Sequence, residues 1–167
     1  TSIKMINGLL QPDSGQVLIK GNTPSIESKK IISYLPERTY LNDWMTVSQI
    51  LSFFEDFYED FDSNRAKEML TSLGIDENAK LKTLSKGTKE KVQLILVMSR
   101  KAELYVLDEP IGGVDPAARD YILSTIIQNY SESSSILIST HLIQDVEKIL
   151  DDVILINNGQ IYMTGSV

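Results

Sequence analysis

The sequence contains no cysteine, so neither a disulfide nor a thiolate-metal framework is available, and a reducing cytosol is its simplest setting. A single histidine, His141, excludes any metal site built from several imidazoles. No apolar run approaches the roughly 18 residues that a bilayer-spanning helix needs. A basic balance is missing as well. The formal net charge of −7 argues against a protein whose task is to grip DNA or RNA by its phosphates. That argument leaves a local nucleotide pocket untouched. Repeats, low-complexity tracts and long linkers are also absent. The opening Thr1-Ser2-Ile3-Lys4-Met5 is no signal peptide and reads as the middle of an element, and Thr164-Gly165-Ser166-Val167 ends as abruptly.

What remains fits one sizeable α/β domain. The chain has 167 residues, 42% of them apolar and 23% charged, and a chain of this size can bury about 70% of its unfolded surface. Ile3, Ile6 and Leu10 have helical spacing, so Thr1 to Leu10 reads as the latter part of a helix. Pro12 to Gly15 is turn chemistry, and Gln16 to Lys20 reads as a short strand. Ile31 to Leu35 reads as another strand, ended by Pro36. A helical section follows. Thr46 caps a helix with Gln49 at the capping-box position; Asp62 or Ser63 begins a second, stopped at Gly74; a third runs from about Thr88 to Arg100. Leu104 to Leu107 and Ser135 to Ser139 are short apolar runs of the kind buried in a parallel sheet. Pro116 to Tyr130 and Ile143 to Leu150 are the expected helices after them. Val153 to Ile156 and Gln160 to Met163 flank Asn157-Asn158-Gly159, a strong hairpin signal. The expected organisation is a sheet core of residues 1–37 and 104–167, interrupted by an all-helical section, 38–103.

The sharpest local signal is Leu104-Tyr105-Val106-Leu107-Asp108-Glu109-Pro110. Four apolar residues deliver two carboxylates to the C-terminal edge of a strand, where open α/β sheets bind ligands. Adjacent residues on a strand point opposite ways, so the two acids should have different tasks. One can hold Mg²⁺ through water while the other orients or deprotonates an attacking water. Two solvated acids before a turn would read the same way. In Leu84-Ser85-Lys86-Gly87-Thr88, a hydroxyl and free amides at a helix start suit a phosphate, although a plain serine cap would look identical. His141, just past an apolar strand, can bond a terminal phosphate and a water together, or be structural. Asp115-Pro116 also reads as an ordinary helix start, and Glu37 as an exposed turn acid.

Taken together, the order and spacing of these segments resemble the ATP-binding subunit of ABC transporters, over the whole chain. Ser85 stands 23 residues before Asp108 (108 minus 85), as the signature loop does before the family's Asp-Glu-Pro. Asp108 and Glu109 resemble the Walker B metal residue and catalytic glutamate. Gly113-Val114-Asp115-Pro116 resembles the D-loop, Ser139-Thr140-His141 the switch histidine, Tyr34-Leu35-Pro36-Glu37 the Q-loop, and Leu9 to Val17 the run after the first helix. Lys86 and Thr88 replace the usual Gly and Gln of the signature, and Glu37 the usual Gln. These departures resemble a bacterial exporter branch whose ATPase pairs with separate membrane subunits. Lys86 can add positive charge near bound phosphates or point to solvent.

The resemblance implies a P-loop ATPase fold, with the Walker A loop, Gly-x-x-Gly-x-Gly-Lys-Ser/Thr, expected directly before Thr1. It implies an ATPase that uses ATP and Mg²⁺, working as a homo- or heterodimer of such subunits with two ATP molecules between them. Asp108 would bind Mg²⁺ through water, Glu109 would be the base, and His141 would hold the γ-phosphate side. Ser85, Lys86, Gly87 and Thr88 would reach the opposite subunit's nucleotide. Glu37 would approach the nucleotide from the Q-loop, and Asp115 would couple the two sites. Integral-membrane permease subunits are the implied partners, nucleic acid is not, and the place is the cytoplasmic face of the cell membrane. Eight of the twelve aromatics lie between Tyr34 and Phe61; most should fill the helical section's core, with Tyr40, Leu41 and Trp44 left to line a partner groove. Two other readings share the motifs: a soluble ABC-type ATPase without a permease, and a non-catalytic regulatory module. Retention of Glu109 and His141 speaks against the second.

Overall fold

The structure, a computed structural model, describes residues 1–112, 114–129, 131 and 133–167, apart from the side chains of residues 117, 118 and 129. At its centre three short strands, β1 (Ile32–Leu35), β2 (Leu104–Asp108) and β3 (Ser135–Ser139), form a parallel sheet in the order β1-β2-β3. The register pairs Ile32 with Leu104, Leu107 with both Leu35 and Ile138, and Asp108 with Ser139. All three strands therefore end on one edge. β2 is buried on both faces, which explains its unbroken apolar run. Tyr105 and Leu107 face a large core with Leu94, Met98, Ile111, Ile122 and Ile126, while Val106 faces a smaller one with Ile3 and Ile32.

Between β1 and β2 lie three helices: α3 (Val47–Phe57), α4 (Ser63–Ser72) and α5 (Lys86–Met98). Each begins on a side chain that accepts a backbone amide. Thr46 accepts from Gln49 N in a full capping box, Asp62 from Arg65 N, and Ser85 from Thr88 N. Gly74, at φ 63, ends the α4 region where the sequence places a stop. The helical core gathers Val47, Ile50, Leu51, Phe54, Ala66, Leu70 and Leu81 with Val92, Ile95 and Leu96 of α5. The other face of α5 (Leu94, Val97, Met98) belongs to the sheet-side core. One helix thus serves two cores, and all of residues 92–98 are buried.

Polar bonds fasten α5 to β1. Ser33 Oγ donates to Val97 O at 2.8 Å, and Gln93 Nε2 to Pro36 O at 3.3 Å. Arg100, just past α5, is 3% exposed. It donates to the carbonyls of Lys30 and Ile32, pairs with Asp60 at 2.9 Å, and lies 4.0 Å from the Tyr58 ring centre. A buried guanidinium is tolerated because every face of it is matched. At the other end of α5, Lys89 Nζ reaches Asp43 Oδ1 at 2.6 Å, tying the helix start to the loop that carries Trp44.

The remaining elements are α1 (Ser2–Ile6), α2 (Ile26–Ile31), α6 (Pro116–Asn129), α7 (Ile143–Val146) and the hairpin β4 (Asp152–Asn157) with β5 (Gln160–Ser166). The hairpin turns through Asn158 and Gly159, both at positive φ, as its sequence predicts. Tyr130, the expected end of α6, lies outside the described residues. Several expectations need correction. The first helix stops at Ile6 rather than Leu10, because Gly8 at φ 66 turns the chain. Residues 16–20 form no strand: Ile19 and Asn22 bond each other across Lys20-Gly21, both at positive φ, which closes a tight turn. The third helix starts at Lys86, capped by Ser85, and the helix from Ile143 tightens to a 3₁₀ turn at Glu147–Ile149. Most of the clustered aromatics do not fill the helical core. Only Phe54, Tyr58 and Phe61 pack there; Tyr34 joins the sheet side, and Tyr40, Trp44, Phe53 and Phe57 are exposed. Phe53 and Phe57 fall outside the buried stripe of α3 and stack on each other, centres 5.9 Å apart.

Candidate active site

The parallel sheet brings Glu37, Asp108, Glu109 and His141 to one edge, because each follows or ends a strand that points the same way. Asp108 is the last residue of β2, and its Oδ1 accepts from Ser139 Oγ at 2.5 Å across the β2–β3 pair. Glu109 has left the strand. Its N–H still donates to Ser139 O at 2.9 Å, but its φ is 50 and its carbonyl accepts from Gly112 N at 3.0 Å. The two carboxylates meet different partners, Ser139 for Asp108 and His141 for Glu109, and Glu109 lies in a turn outside the alternation of the strand. A non-glycine residue in this region costs about 1–3 kcal/mol, so the surrounding structure holds Glu109 against its preference. Gly112 helps: a Cβ there would stand 3.3 Å from both Glu109 Cβ and its carbonyl oxygen.

Glu109 Oε1 lies 3.0 Å from His141 Nδ1, on an imidazole that is largely exposed. Glu109 Oε2 is buried and has no hydrogen-bond partner among the described residues. Such an oxygen is costly unless something polar meets it. Thr140 Oγ1 accepts from Leu142 N at 3.0 Å and fixes the turn that presents His141. Tyr34, on β1, faces the same edge: burial, then the charges of Asp108 and Glu37, push its phenol above its ordinary range. Glu37 itself is exposed, and the carbonyl before it is held by Gln93.

Ser85, Lys86, Gly87 and Thr88 form the start of α5, and no hydrogen bond or ion pair among the described residues joins them to the carboxylates. The Ser85 hydroxyl accepts Thr88 N at 3.1 Å and lies 2.8 Å from Thr88 Oγ1. Lys86 points to solvent with Glu90 as an (i,i+4) neighbour at 3.7 Å. A Cβ on Gly87 would meet nothing within 4 Å, so this corner is open. Asp115 stands exposed before Pro116, its carbonyl accepting Arg119 N at 3.0 Å; Gly113 of the same loop lies outside the described residues. Among the described residues no group of three or more acids or histidines could cage a metal, and no helix is long and apolar enough to cross a membrane.

Reading the sequence left Ser139, Gln93, Arg119 and Asp145 without roles. Ser139 was within reach: two five-residue parallel strands in register bring their last residues, Asp108 and Ser139, side by side. Gln93, bonded to Pro36, and the Arg119–Asp145 pair join residues far apart in sequence and carry no local signal.

Known proteins match this arrangement. The sequence profile of the family described as ABC transporter matches residues 1–112. The linearmycin resistance ATP-binding protein LnrL of Bacillus subtilis (strain 168) is 29% identical over 174 residues, covering 99% of this chain and 56% of that protein. The SkfA peptide export ATP-binding protein SkfE of the same organism is 29% identical, covering 96% of this chain and 70% of that one. A solved ATP binding subunit of an ABC transporter superposes with a TM-score of 0.88 at 26% identity, over 99% of this chain and 72% of the other. The α/β P-loop ATPase fold expected from the sequence is therefore present. The chain spans about half the length of the curated relatives it matches first. With its helix capped by Ser85, its strand-end carboxylates and its histidine in this order, the chain belongs to the ABC transporter family, among the ATP-binding subunits.

Proposed function

We propose that this chain belongs to an ATP-hydrolysing subunit that powers an ABC membrane transporter through ATP-driven dimerisation. The observation that carries the reading is the Glu109–His141 contact at 3.0 Å beside Asp108, on the edge where the parallel strands end. Glu109 is the base: its carboxylate takes the proton of the attacking water. His141 holds Oε1 in place and faces the γ-phosphate. Asp108, fixed by Ser139, fits Mg²⁺ held through water, since its donors are hard carboxylate oxygens. When bound, that ion would neutralise the phosphate oxygens. Ser85, Lys86, Gly87 and Thr88 serve the nucleotide of a second subunit, for which the open corner at Gly87 leaves room. Glu37 approaches the nucleotide from its own subunit, and Asp115 couples the two sites.

Residues 1–37 and 104–167 form the ATPase core in this reading, and 38–103 the helical subdomain, with α5 belonging to both cores. In this reading the exposed aromatics Tyr40, Trp44, Phe53 and Phe57 are the surface for a permease subunit, and the protein works at the cytoplasmic face of the membrane. Nucleic acid has no part. Two relatives are named for linearmycin resistance and for peptide export, which supports an exporter.

The 167 residues contain no Gly-x-x-Gly-x-Gly-Lys-Ser/Thr run, so alone they should bind ATP weakly. The test therefore uses a full-length form that carries this loop. With Glu109→Gln, Mg-ATP should drive a stable dimer on size-exclusion chromatography. Adding Ser85→Arg should leave it monomeric while nucleotide still binds. A dimer that survives Ser85→Arg would remove the signature residues from their role at the opposite site.

A further inference from the structure

Arg119, in the first turn of α6, has partners on two separate segments. Its Nε donates to Val114 O at 3.2 Å, and its Nη1 pairs with Asp145 Oδ2 at 3.0 Å. Val114 directly precedes Asp115. Asp145 lies on α7, four residues after His141, and its own N–H donates to Leu142 O at 3.2 Å. The neighbouring Val146 is 2% exposed and anchors α7 in the sheet-side core. The stretch from His141 to Asp145 is therefore short and fixed at both ends, by Glu109 at one and Arg119 at the other.

We propose that Arg119 and Asp145 are positioning residues for ATP hydrolysis, one guanidinium holding the backbone that presents Asp115 against the turn that presents His141. The proposal rests on the ATPase reading above and deepens it. A guanidinium suits the task, because its planar fork offers donors along different edges and can serve a carbonyl and a carboxylate together. The two side chains are 30% and 37% exposed, and an ion pair of that exposure adds little to stability. Its worth is geometric. Misplacing a reacting group by about 1 Å can cost a factor of roughly 100 in rate. Through His141, a loosened α7 turn would release the Glu109 carboxylate, which already sits in a strained backbone conformation.

Steady-state ATP hydrolysis and thermal unfolding of the full-length protein test this. Arg119→Ala and Asp145→Asn should each lower kcat about tenfold, with KM for ATP within about twofold and Tm within about 2 °C of wild type. The double variant should be no worse than the worse single one, because both remove one link. Arg119→Lys keeps the charge but cannot hold both partners, so its kcat should fall between wild type and Arg119→Ala. Wild-type kcat in the single variants, losses that multiply in the double, or a kcat loss matched by a large drop in Tm would each overturn the proposal. A wild-type protein that hydrolyses no ATP would overturn the ATPase reading, and the proposal with it.

Discussion

The helical section and the sheet edge differ in how far the backbone follows its local preferences. In the helical section α3, α4 and α5 each start on a side chain that takes up a backbone amide, and the one left-handed residue is Gly74, whose conformation costs nothing there. Its core encloses Val47, Ala66 and Leu81 fully, although Glu90 Oε2, Gln93 Oε1 and Ser99 Oγ in and just past α5 are buried without a hydrogen-bond partner among the described residues. At the sheet edge a glutamate occupies a left-handed backbone position, and one of its carboxylate oxygens is buried without a partner among the described residues. The backbone of one chain thus follows different rules in two regions: in the helical section local preferences agree with the fold, and at the candidate site the fold overrides them.

Four substitutions would break or sharpen that contrast. Glu109→Gln should lower ATP turnover of the full-length protein by a factor of about 100 to 1,000 without lowering Tm, since it removes the charge from a carboxyl group one of whose oxygens is buried without a partner among the described residues. Wild-type turnover in a phosphate-release assay would take the base away from Glu109. Leu70→Ala should do the reverse. Leu70 is 1% exposed in the helical core, so urea denaturation should show a loss of about 2–5 kcal/mol. Thr46→Ala removes one half of a reciprocal capping box, with Gln49 N at 3.2 Å, and should cost about 1 kcal/mol by the same measurement.

Asp62→Asn should have the smallest effect, visible only through its pH dependence. The backbone N–H of Arg65 is the main cause that lowers the Asp62 carboxyl below its ordinary value; partial burial opposes it, and Lys101 assists. A carboxyl lowered on folding contributes stability above its unfolded value near 4, and that contribution is lost as pH falls through the folded value. Asparagine caps equally well, so the variant should be weaker by about 0.5 kcal/mol or less at pH 7, with the gap narrowing as pH falls below the unfolded value. A gap that does not narrow with falling pH would show that the charge is not its source.

Much of this architecture was legible because short-range chemistry governs it. Thr46-x-x-Gln49, Asn158-Gly159 and the apolar runs ending at Asp108 and Ser139 each specify their structure within a few residues. The candidate site followed, since parallel strands deliver their last residues to one edge. Residues 16–20 misled because a short apolar run alone does not make a strand: a ladder needs a partner, and the turn at Lys20-Gly21 takes the chain's bonds instead. Helix α2 was missed because its capping box joins two serines, Ser25 and Ser28, and lacks the usual Glu or Gln. Arg100 could not be found from its neighbours. Its partners Lys30, Ile32 and Asp60 are 40 to 70 residues away in sequence.

One further consequence lies in the loop before α3. Trp44 is the only tryptophan of the chain and is 68% exposed, while the adjacent Asp43 holds Lys89, one helical turn beyond Ser85. The protein therefore carries a built-in optical reporter beside the helix that would cap a second subunit's nucleotide. Selective excitation at the red edge of indole absorption isolates this one residue from the seven tyrosines. Its emission should shift towards the blue when a membrane partner covers the loop, and should respond less to nucleotide-driven pairing once Lys89→Met cuts the tie to Asp43.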